Sequence, residues 1–385
     1  MKQTRVYLDW NATTPLRPEA RAAMAAAWDE SGNPSSIHAA GRAARRLVED
    51  ARATVATAVG AEPRNVIFTS GGTEANALAL APGLHRDPHA PVERLIVSAI
   101  EHASVLAGGR FAAERIATVA VTPQGLADLD DLGGLLANGP PALVSVMLAN
   151  NETGAVQPIG DIARAVHAAG GLLHVDAVQG LGRIAVAMDD LGADLLTLSS
   201  HKVGGPKGAG AVVVREGVAL PPLIRGGGQE RNRRGGTENV PGIAGFGAAV
   251  AAAMSGRSAE AAHMETLRAL LEGGLKTSAD VTIFADHVER LPNTTLFSAP
   301  GLRAETAVIA FDLEGVAVSS GSACSSGKVT RSHVLTAMGV PAPLAEGAVR
   351  LSLGWSTTEP DIQKVLKAWR KLSGVLPRAM QRTGA

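Results

Sequence analysis

Residues 66–76, VIFTSGGTEAN, run from an aliphatic segment through a pair of glycines into an alanine-rich stretch. A short apolar strand, a tight turn and a helix, in that order, form the repeating unit of an α/β protein. Between about residues 62 and 215, turns follow five further aliphatic runs, at 95–98, 143–146, 172–176, 195–198 and 211–214. The sequence therefore predicts an α/β fold with a mostly parallel sheet covered by helices on both faces.

The remainder of the chain predicts a second, smaller domain. An apolar segment rich in alanine and glycine, 242–254, predicts a buried helix that closes the first domain, with a boundary near residue 257. Beyond it the patterns predict a polar helix at 258–275 and an amphipathic helix at 359–376. Between them they predict three strands, near Val281, Thr294 and Val308. We expect three parts. Residues 1–15 form an N-terminal arm that joins the small domain, residues 16–257 form a large domain, and residues 258–385 form a small α+β domain.

Composition excludes several classes of function. The 385 residues include 36 Lys and Arg and 36 Asp and Glu, so the formal net charge is zero and nucleic acid is not an expected partner. One cysteine cannot form a disulfide framework or a metal site built from several thiolates of this chain. No signal-peptide core and no apolar run of membrane-spanning length is present, so we expect a cytoplasmic protein with no membrane partner.

The turn at 70–76 is a candidate phosphate site. Its glycines allow backbone N–H groups to point outward at the start of a helix, and such a terminus binds anions well. Taken alone, the same residues are equally typical of a plain strand-to-helix turn.

Two charged residues follow neighbouring strands of the predicted sheet. Asp176 ends an apolar strand, where a carboxylate needs a cation or several donors, and a salt bridge in the core is one explanation. Lys202 follows the next strand, at the edge where open α/β sheets bind ligands, and its amine could form a Schiff base with an aldehyde. The alternative for Lys202 is a solvated loop lysine, which is our interpretation of Lys207. A phosphate site, a buried aspartate and this lysine together fit pyridoxal 5′-phosphate, which offers a phosphate, a ring nitrogen and an aldehyde.

Three more residues are candidates for chemistry. His102 lies just past a strand and could stack on a cofactor ring or serve a structural role. Cys324 lies among small residues, 319–327, which predict a mobile loop with an exposed nucleophilic thiol rather than a buried one. Arg350 interrupts an apolar strand, and its partner is either a substrate carboxylate or an internal Asp or Glu.

These residues, in this order, closely resemble the cysteine desulfurases of the class V aminotransferase family, in their NifS/IscS-like group. The matching segments extend over nearly the whole chain: 7–15 (YLDWNATTP), 32–36 (GNPSS), 70–76, 101–102, 150–154 (NNETG), 174–179 (HVDAVQ), 201–202, 226–230 (GGGQE), the Cys324 loop and Arg350. The resemblance implies the large domain of the fold-type I pyridoxal-phosphate enzymes, with a seven-stranded type of sheet, and a small domain that carries the Cys324 loop.

The resemblance also implies a role for each matching residue. Lys202 would hold pyridoxal 5′-phosphate covalently, Asp176 would pair with its ring nitrogen, and Gln179 would bond its phenolic oxygen. His102 would stack on the ring. The phosphate would be bound by Gly72, Thr73, Ser199 and His201. Thr237 would reach the phosphate of a neighbouring subunit, which implies a homodimer, and Arg350 and Asn151 would hold the substrate carboxylate.

The implied reaction converts L-cysteine to L-alanine and leaves a persulfide on Cys324, with His102 as the candidate proton acceptor. The sulfur would pass to a scaffold or other acceptor protein for iron–sulfur cluster assembly or another thio-cofactor. The alternative is another aminotransferase or lyase of the same family, which would use the same cofactor residues without requiring Cys324.

Overall fold

A computed structural model describes residues 5–321, 331–374 and 376. Its strands are β1 (Val6–Tyr7), β2 (Val66–Thr69), β3 (Arg94–Ser98), β4 (Ile116–Val119), β5 (Ala142–Met147), β6 (Leu172–Asp176), β7 (Leu195–Ser199), β8 (Gly210–Val214), β9 (Thr282–Ile283), β10 (Thr294–Ser298), β11 (Val316–Ala317), β12 (Ser319–Ser320) and β13 (Val349–Ser352). Its helices are α1 (Pro18–Trp28), α2 (Ala39–Ala58), α3 (Gly72–Ala79), α4 (Ala103–Leu106), α5 (Leu129–Ala137), α6 (Ile159–Ala168), α7 (Val240–Ser278), α8 (Ala304–Leu313), α9 (His333–Ala337), α10 (Ala342–Glu346) and α11 (Glu359–Ser373).

The larger sheet has seven strands in the order β2-β8-β7-β6-β5-β3-β4, within the described part of the chain. Only β8 runs antiparallel to its neighbours, because residues 200–209 return the chain from β7 without a crossover α-helix. Strands β5 to β8 are buried at every position, as strands covered on both faces must be. The predicted α/β class and all six predicted strands of this sheet are confirmed. The seventh strand, β4, lies at the sheet edge and is only partly buried, so its pattern is weaker.

A second, four-stranded sheet has the order β12-β13-β10-β9. Its pairs are antiparallel, and it packs with α8 and α11 around a separate core that includes Phe297 and Trp369. The N-terminal strand β1 pairs with β11, and Leu8 belongs to this second core. The N-terminal segment is thereby attached to the C-terminal part of the chain.

Helix α7 connects the two cores without interruption. Residues such as Phe246 and Val250 lie in the core of the large sheet, whereas Leu267 and Leu271 lie in the second core. Residue 257, the expected boundary, is therefore inside a continuous helix rather than in a linker, and the predicted helices at 242–254 and 258–275 are one element. No helix within the described ranges combines the length and apolarity needed to cross a bilayer.

One predicted strand is wrong. Val308 lies in α8, where the buried positions are Ala304, Ala307 and Phe311. This spacing of three and four residues is helical, and burial of that face against β11 and α11 outweighs the strand preference of the β-branched residues beside it. The last helix also ends at Ser373, three residues earlier than predicted.

Candidate active site

The carboxyl ends of the parallel strands open into one cavity of about 230 Å³. Asp176 and Ser199 end β6 and β7, and α3 begins directly after β2. Arg350, from β13 of the second sheet, reaches the same cavity. Ten of the predicted site residues line it: Gly72, Thr73, His102, Asn151, Asp176, Gln179, Ser199, His201, Lys202 and Arg350. The fold therefore gathers predicted site residues that lie up to 278 positions apart in the chain (350 − 72).

The other two predicted site residues are not at this cavity. Thr237 is exposed in the segment before α7 and does not line the cavity of its own chain. That segment is attached to the start of α3 by Arg234, whose guanidinium binds the Glu74 carboxylate at 2.8 and 3.1 Å. Cys324 lies outside the described residues.

The start of α3 forms one wall of the cavity. The first N–H groups of a helix have no partner within the helix, so those of this turn are available to an anion. A Cβ atom at Gly72 would lie 3.2 Å from Val178 Cγ2 and 3.4 Å from Ser199 Cβ, so a side chain there would crowd the turn. His201 faces the same wall, with a 3.1 Å contact from Nδ1 to Thr13 Oγ1. Burial, and secondarily the Lys202 and Lys207 charges, lower the pKa of His201 to about 4.

The Asp176 carboxylate is held by neutral donors. It accepts hydrogen bonds from Asn76 Nδ2 at 2.9 Å and from the Val178 backbone N–H at 3.0 Å. Thr197 Oγ1 donates to Asn76 Oδ1 at 2.7 Å, which fixes the orientation of that amide. Within the described residues Asp176 has no ion-pair partner, so the salt bridge considered from sequence is not what holds it. A buried anion in this position is suited to pair with a cation that enters the cavity.

His102 caps the start of α4. The Ser104 backbone N–H donates to its Nδ1 at 3.1 Å, so Nδ1 is an acceptor and the proton of the neutral ring is on Nε2. Burial lowers the pKa of His102 below its usual 6.5; the Asp176 charge opposes this shift, and the Lys202 and His333 charges add to it. The ring is therefore neutral at pH 7. To accept a proton, as we expected from sequence, it must release the Ser104 contact.

Lys202 lies in a 3₁₀ turn, Ser200–Lys202, at the end of β7. Its Nζ donates to the backbone carbonyls of Asn11 and Ala12 at 2.5 and 2.7 Å. The Asn11 carbonyl also accepts from Gln179 Nε2 at 3.0 Å. The N-terminal segment thus closes one side of the cavity and orients the lysine.

The Arg350 guanidinium is 1% exposed and bound on two sides. It donates to Asp9 Oδ1 at 2.6 Å and to the Asn151 carbonyl at 2.9 Å, while its Nε has no partner among the described residues. Of the two partners left open by the sequence, the internal carboxylate is therefore present. The guanidinium still lines the cavity and can also meet a carboxylate bound there.

Sequence reasoning missed Asn11, Asn76 and Ser104 as cavity residues. Asn11 and Asn76 occur in segments that we singled out, 7–15 and 70–76, but nothing in their local pattern distinguishes them from ordinary turn and helix residues. A polar residue one turn into a helix whose later residues are all apolar, as Asn76 is, was the available signal.

Glu101 is a second buried acid beneath the site. Its Oε1 accepts from Ser98 Oγ at 2.5 Å and from the Met147 N–H at 2.8 Å, and its Oε2 has no partner within the described residues. Burial, with a smaller contribution from the Asp176 charge, raises its pKa to about 8. Glu101 is therefore protonated at neutral pH in the folded protein.

The Glu101→Gln variant tests this protonation. Between pH 4.5 and pH 8 the folded state retains a proton that the unfolded chain has released, so wild-type stability falls as pH rises through this window. Glu101 should make the wild-type free energy of unfolding fall by up to about 1.4 kcal/mol per pH unit in this window, and Glu101→Gln should remove that fall. The free energy of unfolding is measured by urea denaturation at several pH values. The exposed Glu93→Gln variant should keep the wild-type decline. Parallel curves for Glu101→Gln and the wild type would show that Glu101 is ionised.

Comparison with known proteins agrees with this geometry. The family model described as Aminotransferase class-V matches residues 6–365. The chain belongs to the class-V aminotransferase family. Among similar members, "Cysteine desulfurase IscS" of Dictyoglomus turgidum is 42% identical over 95% of this chain and 94% of its own. A solved NifS-like protein from Rickettsia africae has a TM-score of 0.88 and 39% identity, and covers 96% of this chain and 100% of that one. The structure titled "SspA in complex with cysteine" has a TM-score of 0.75 and 29% identity, and covers 92% and 100%. The predicted resemblance and fold class are thus confirmed.

Proposed function

We propose that this chain is a cysteine desulfurase that uses pyridoxal 5′-phosphate to convert L-cysteine to L-alanine. The observation that carries the proposal is the presence of Lys202, Asp176, the start of α3 and Arg350 around one cavity. The full-length similarity to proteins named cysteine desulfurase supports it, and so does the similarity to a structure whose title includes cysteine.

The donor set fits this cofactor. The start of α3 with Ser199 and His201 would hold its phosphate, the Asp176 carboxylate would pair with its ring nitrogen, and Lys202 would hold its aldehyde carbon. Within the described part of the chain the buried Asp176 carboxylate has hydrogen-bond donors but no cationic partner, and a ligand with a protonated ring nitrogen would supply one. When bound, the cofactor supplies an electron sink for the bonds at the substrate α-carbon.

The protein's residues bind and orient the amino acid. Arg350, held in place by Asp9, would bind the substrate carboxylate with the help of Asn151. His102 is neutral; it would stack on the cofactor ring and would present an N–H group from Nε2. Lys202 would be the amine nearest the substrate α-carbon and is suited to move a proton there.

Cys324 would accept the sulfur. Its thiolate attacks the substrate sulfur, the carbon–sulfur bond breaks, and the β-carbon takes up a proton. In balance, the Cys324 thiol and L-cysteine give the Cys324 persulfide and L-alanine, so the two sulfur atoms are each oxidised by one electron and the β-carbon is reduced by two. A thiol of ordinary pKa, about 8.5, must lose its proton before the attack.

We also propose a homodimer, a cytoplasmic location and a sulfur-acceptor protein, such as a scaffold for iron–sulfur clusters, as partner. The exposure of Thr237 outside the cavity of its own chain supports the dimer, because this residue could then reach the phosphate of the neighbouring subunit.

Incubation with L-cysteine and a thiol reductant tests the function. We expect alanine and sulfide in equal amounts, formed in repeated turnovers. Amino-group transfer to a 2-oxo acid, with no alanine from cysteine, would instead establish an aminotransferase and contradict the proposal.

An Asp176→Asn variant tests the charge of the buried carboxylate. The amide has the same shape but lacks the negative charge that favours a protonated cofactor ring, and we expect kcat to fall by about 10²-fold to 10³-fold. The rate of alanine formation is measured at saturating cofactor, with bound cofactor determined separately. A variant with full cofactor occupancy and wild-type kcat would show that the Asp176 charge has no catalytic importance.

A further inference from the structure

Arg183 is a buried cation close to the site. It lies in the turn after β6 and is 7% exposed. Burial, and secondarily the Arg350 charge, lower its pKa to about 10. Burying a guanidinium costs free energy unless its N–H groups have acceptors. The acceptors of Arg183 therefore indicate which groups it orients.

All the contacts of Arg183 within the described residues are to neutral oxygens. Nη1 donates to the backbone carbonyl of Gln179 at 2.8 Å and also to the side-chain Oε1 of Gln179. Nη2 donates to the Trp10 carbonyl at 3.5 Å. A small second cavity, about 20 Å³, is lined by Arg183 and by three further charged residues, Arg17, Lys202 and Glu260. The Glu260 carboxylate is bound by Arg17 at 2.7 and 3.0 Å, so it does not neutralise Arg183.

These contacts determine which way the Gln179 amide points. A guanidinium can only donate, so the atom of Gln179 that faces it must be the oxygen. The NH₂ group is then on the other side, where it donates to the Asn11 carbonyl at 3.0 Å. That carbonyl also binds Lys202 Nζ, and Gln179 lines the main cavity. Arg183, Gln179, Asn11 and Lys202 thus form one hydrogen-bonded chain.

We propose that Arg183 is a positioning residue, which fixes the Gln179 amide with its NH₂ group toward the cavity as a donor to the phenolic oxygen of bound pyridoxal 5′-phosphate. This inference rests on the proposed function, because it assumes that cofactor. Arg183 does not contact the cavity contents itself. Arg183 acts through the Gln179 amide. Its buried positive charge also favours the deprotonated form of the cofactor's phenolic oxygen.

A loss of this donor has a spectroscopic consequence. The donated hydrogen bond and the nearby positive charge both stabilise a negative phenolic oxygen and disfavour an added proton on the Lys202 nitrogen beside it. Without Arg183 the amide can turn its oxygen toward the cavity. The proton is then held more tightly, and the absorption change of the bound cofactor moves to higher pH.

The experiment is a pH titration of the visible absorption of the purified, cofactor-loaded protein. We expect Arg183→Met to raise the midpoint by about one pH unit, and Arg183→Lys, which keeps the charge and a donor, by less than half of that. Arg110→Met is the matched control, because the acceptors of Arg110 are also neutral oxygens, all of them backbone carbonyls, and Arg110 does not line the cavity. It should leave the midpoint unchanged. If Arg183→Met does not fold, Arg183→Gln, which removes the charge but keeps an amide donor, should still raise the midpoint, by less than about one pH unit.

A double-mutant cycle with Gln179→Leu tests whether Arg183 acts through Gln179. We expect the shift in the double variant to be smaller than the sum of the two single shifts by at least about half a pH unit. An unchanged midpoint in Arg183→Met, or additive shifts, would overturn the inference while leaving the proposed function in place. A wild-type protein that binds no pyridoxal 5′-phosphate would overturn both. Cofactor-loaded protein that does not act on L-cysteine would contradict only the proposed reaction. The shifts of the absorption midpoint would still be expected.

Discussion

The Lys202→Ala variant is expected to form alanine from L-cysteine at least about 10³-fold more slowly than the wild type. The lysine would hold the cofactor covalently and move a proton at the substrate α-carbon, and methyl cannot do either. Its Nζ also binds the Asn11 and Ala12 carbonyls, so the variant loses two contacts to the N-terminal segment. The rate is measured by quantifying alanine at saturating L-cysteine and cofactor.

Lys207→Ala is the matched control for this loss. Lys207 lies five residues further along the same loop, is exposed, and does not line the cavity. It should keep the wild-type rate. If Lys202→Ala formed alanine as fast as Lys207→Ala, the amine at the sheet edge would have no part in the chemistry.

Cys324→Ala is expected to reduce alanine formation by about 10²-fold or more, because no thiolate remains to accept the substrate sulfur. Cofactor binding should be unchanged, because the predicted cofactor residues all lie elsewhere in the sequence. Alanine, sulfide and bound cofactor are measured on the same preparation. Wild-type rates of alanine and sulfide formation in this variant would replace the persulfide mechanism with the alternative of a lyase that releases sulfide directly.

The larger sheet could be predicted because its signal is local. Fully buried strands appear as short aliphatic runs, and the glycine turns after them separate strand from helix. The half-buried edge strand β4 lacks that contrast. The strand predicted near Val308 was wrong because burial of Ala304, Ala307 and Phe311 is decided by packing against β11 and α11, which the local sequence does not display.

The two helices predicted at 242–254 and 258–275 show a second limit, because they are one helix, α7. The change from apolar to polar composition between them predicts a boundary. In the structure it marks the point where one helix leaves the core of the large sheet and continues toward the second core. Composition indicates which part of a helix is buried. It does not indicate whether the helix ends between an apolar and a polar part.

The site could be predicted as a set of residues but not as a network. Motifs identified the residues that bind and react, because those residue types are unusual at strand ends. The contacts that orient them join distant parts of the chain, as with Arg350 and Asp9 or Gln179 and Asn11. No pattern in the neighbouring sequence identifies the neutral donors that bind the Asp176 carboxylate. The same is true of the backbone carbonyls that bind Lys202 Nζ.

Transfer of sulfur to Cys324 is the central claim, and the mass of the peptide that contains this residue tests it most directly. The chain has a single cysteine, so the site of any added sulfur is unambiguous. After one brief incubation with L-cysteine and alkylation, we predict that the Cys324 peptide gains the mass of one sulfur atom, with one alanine released per modified thiol, and that Lys202→Ala shows neither. Alanine released in repeated turnovers while the Cys324 peptide keeps its unmodified mass at every time point would contradict the account.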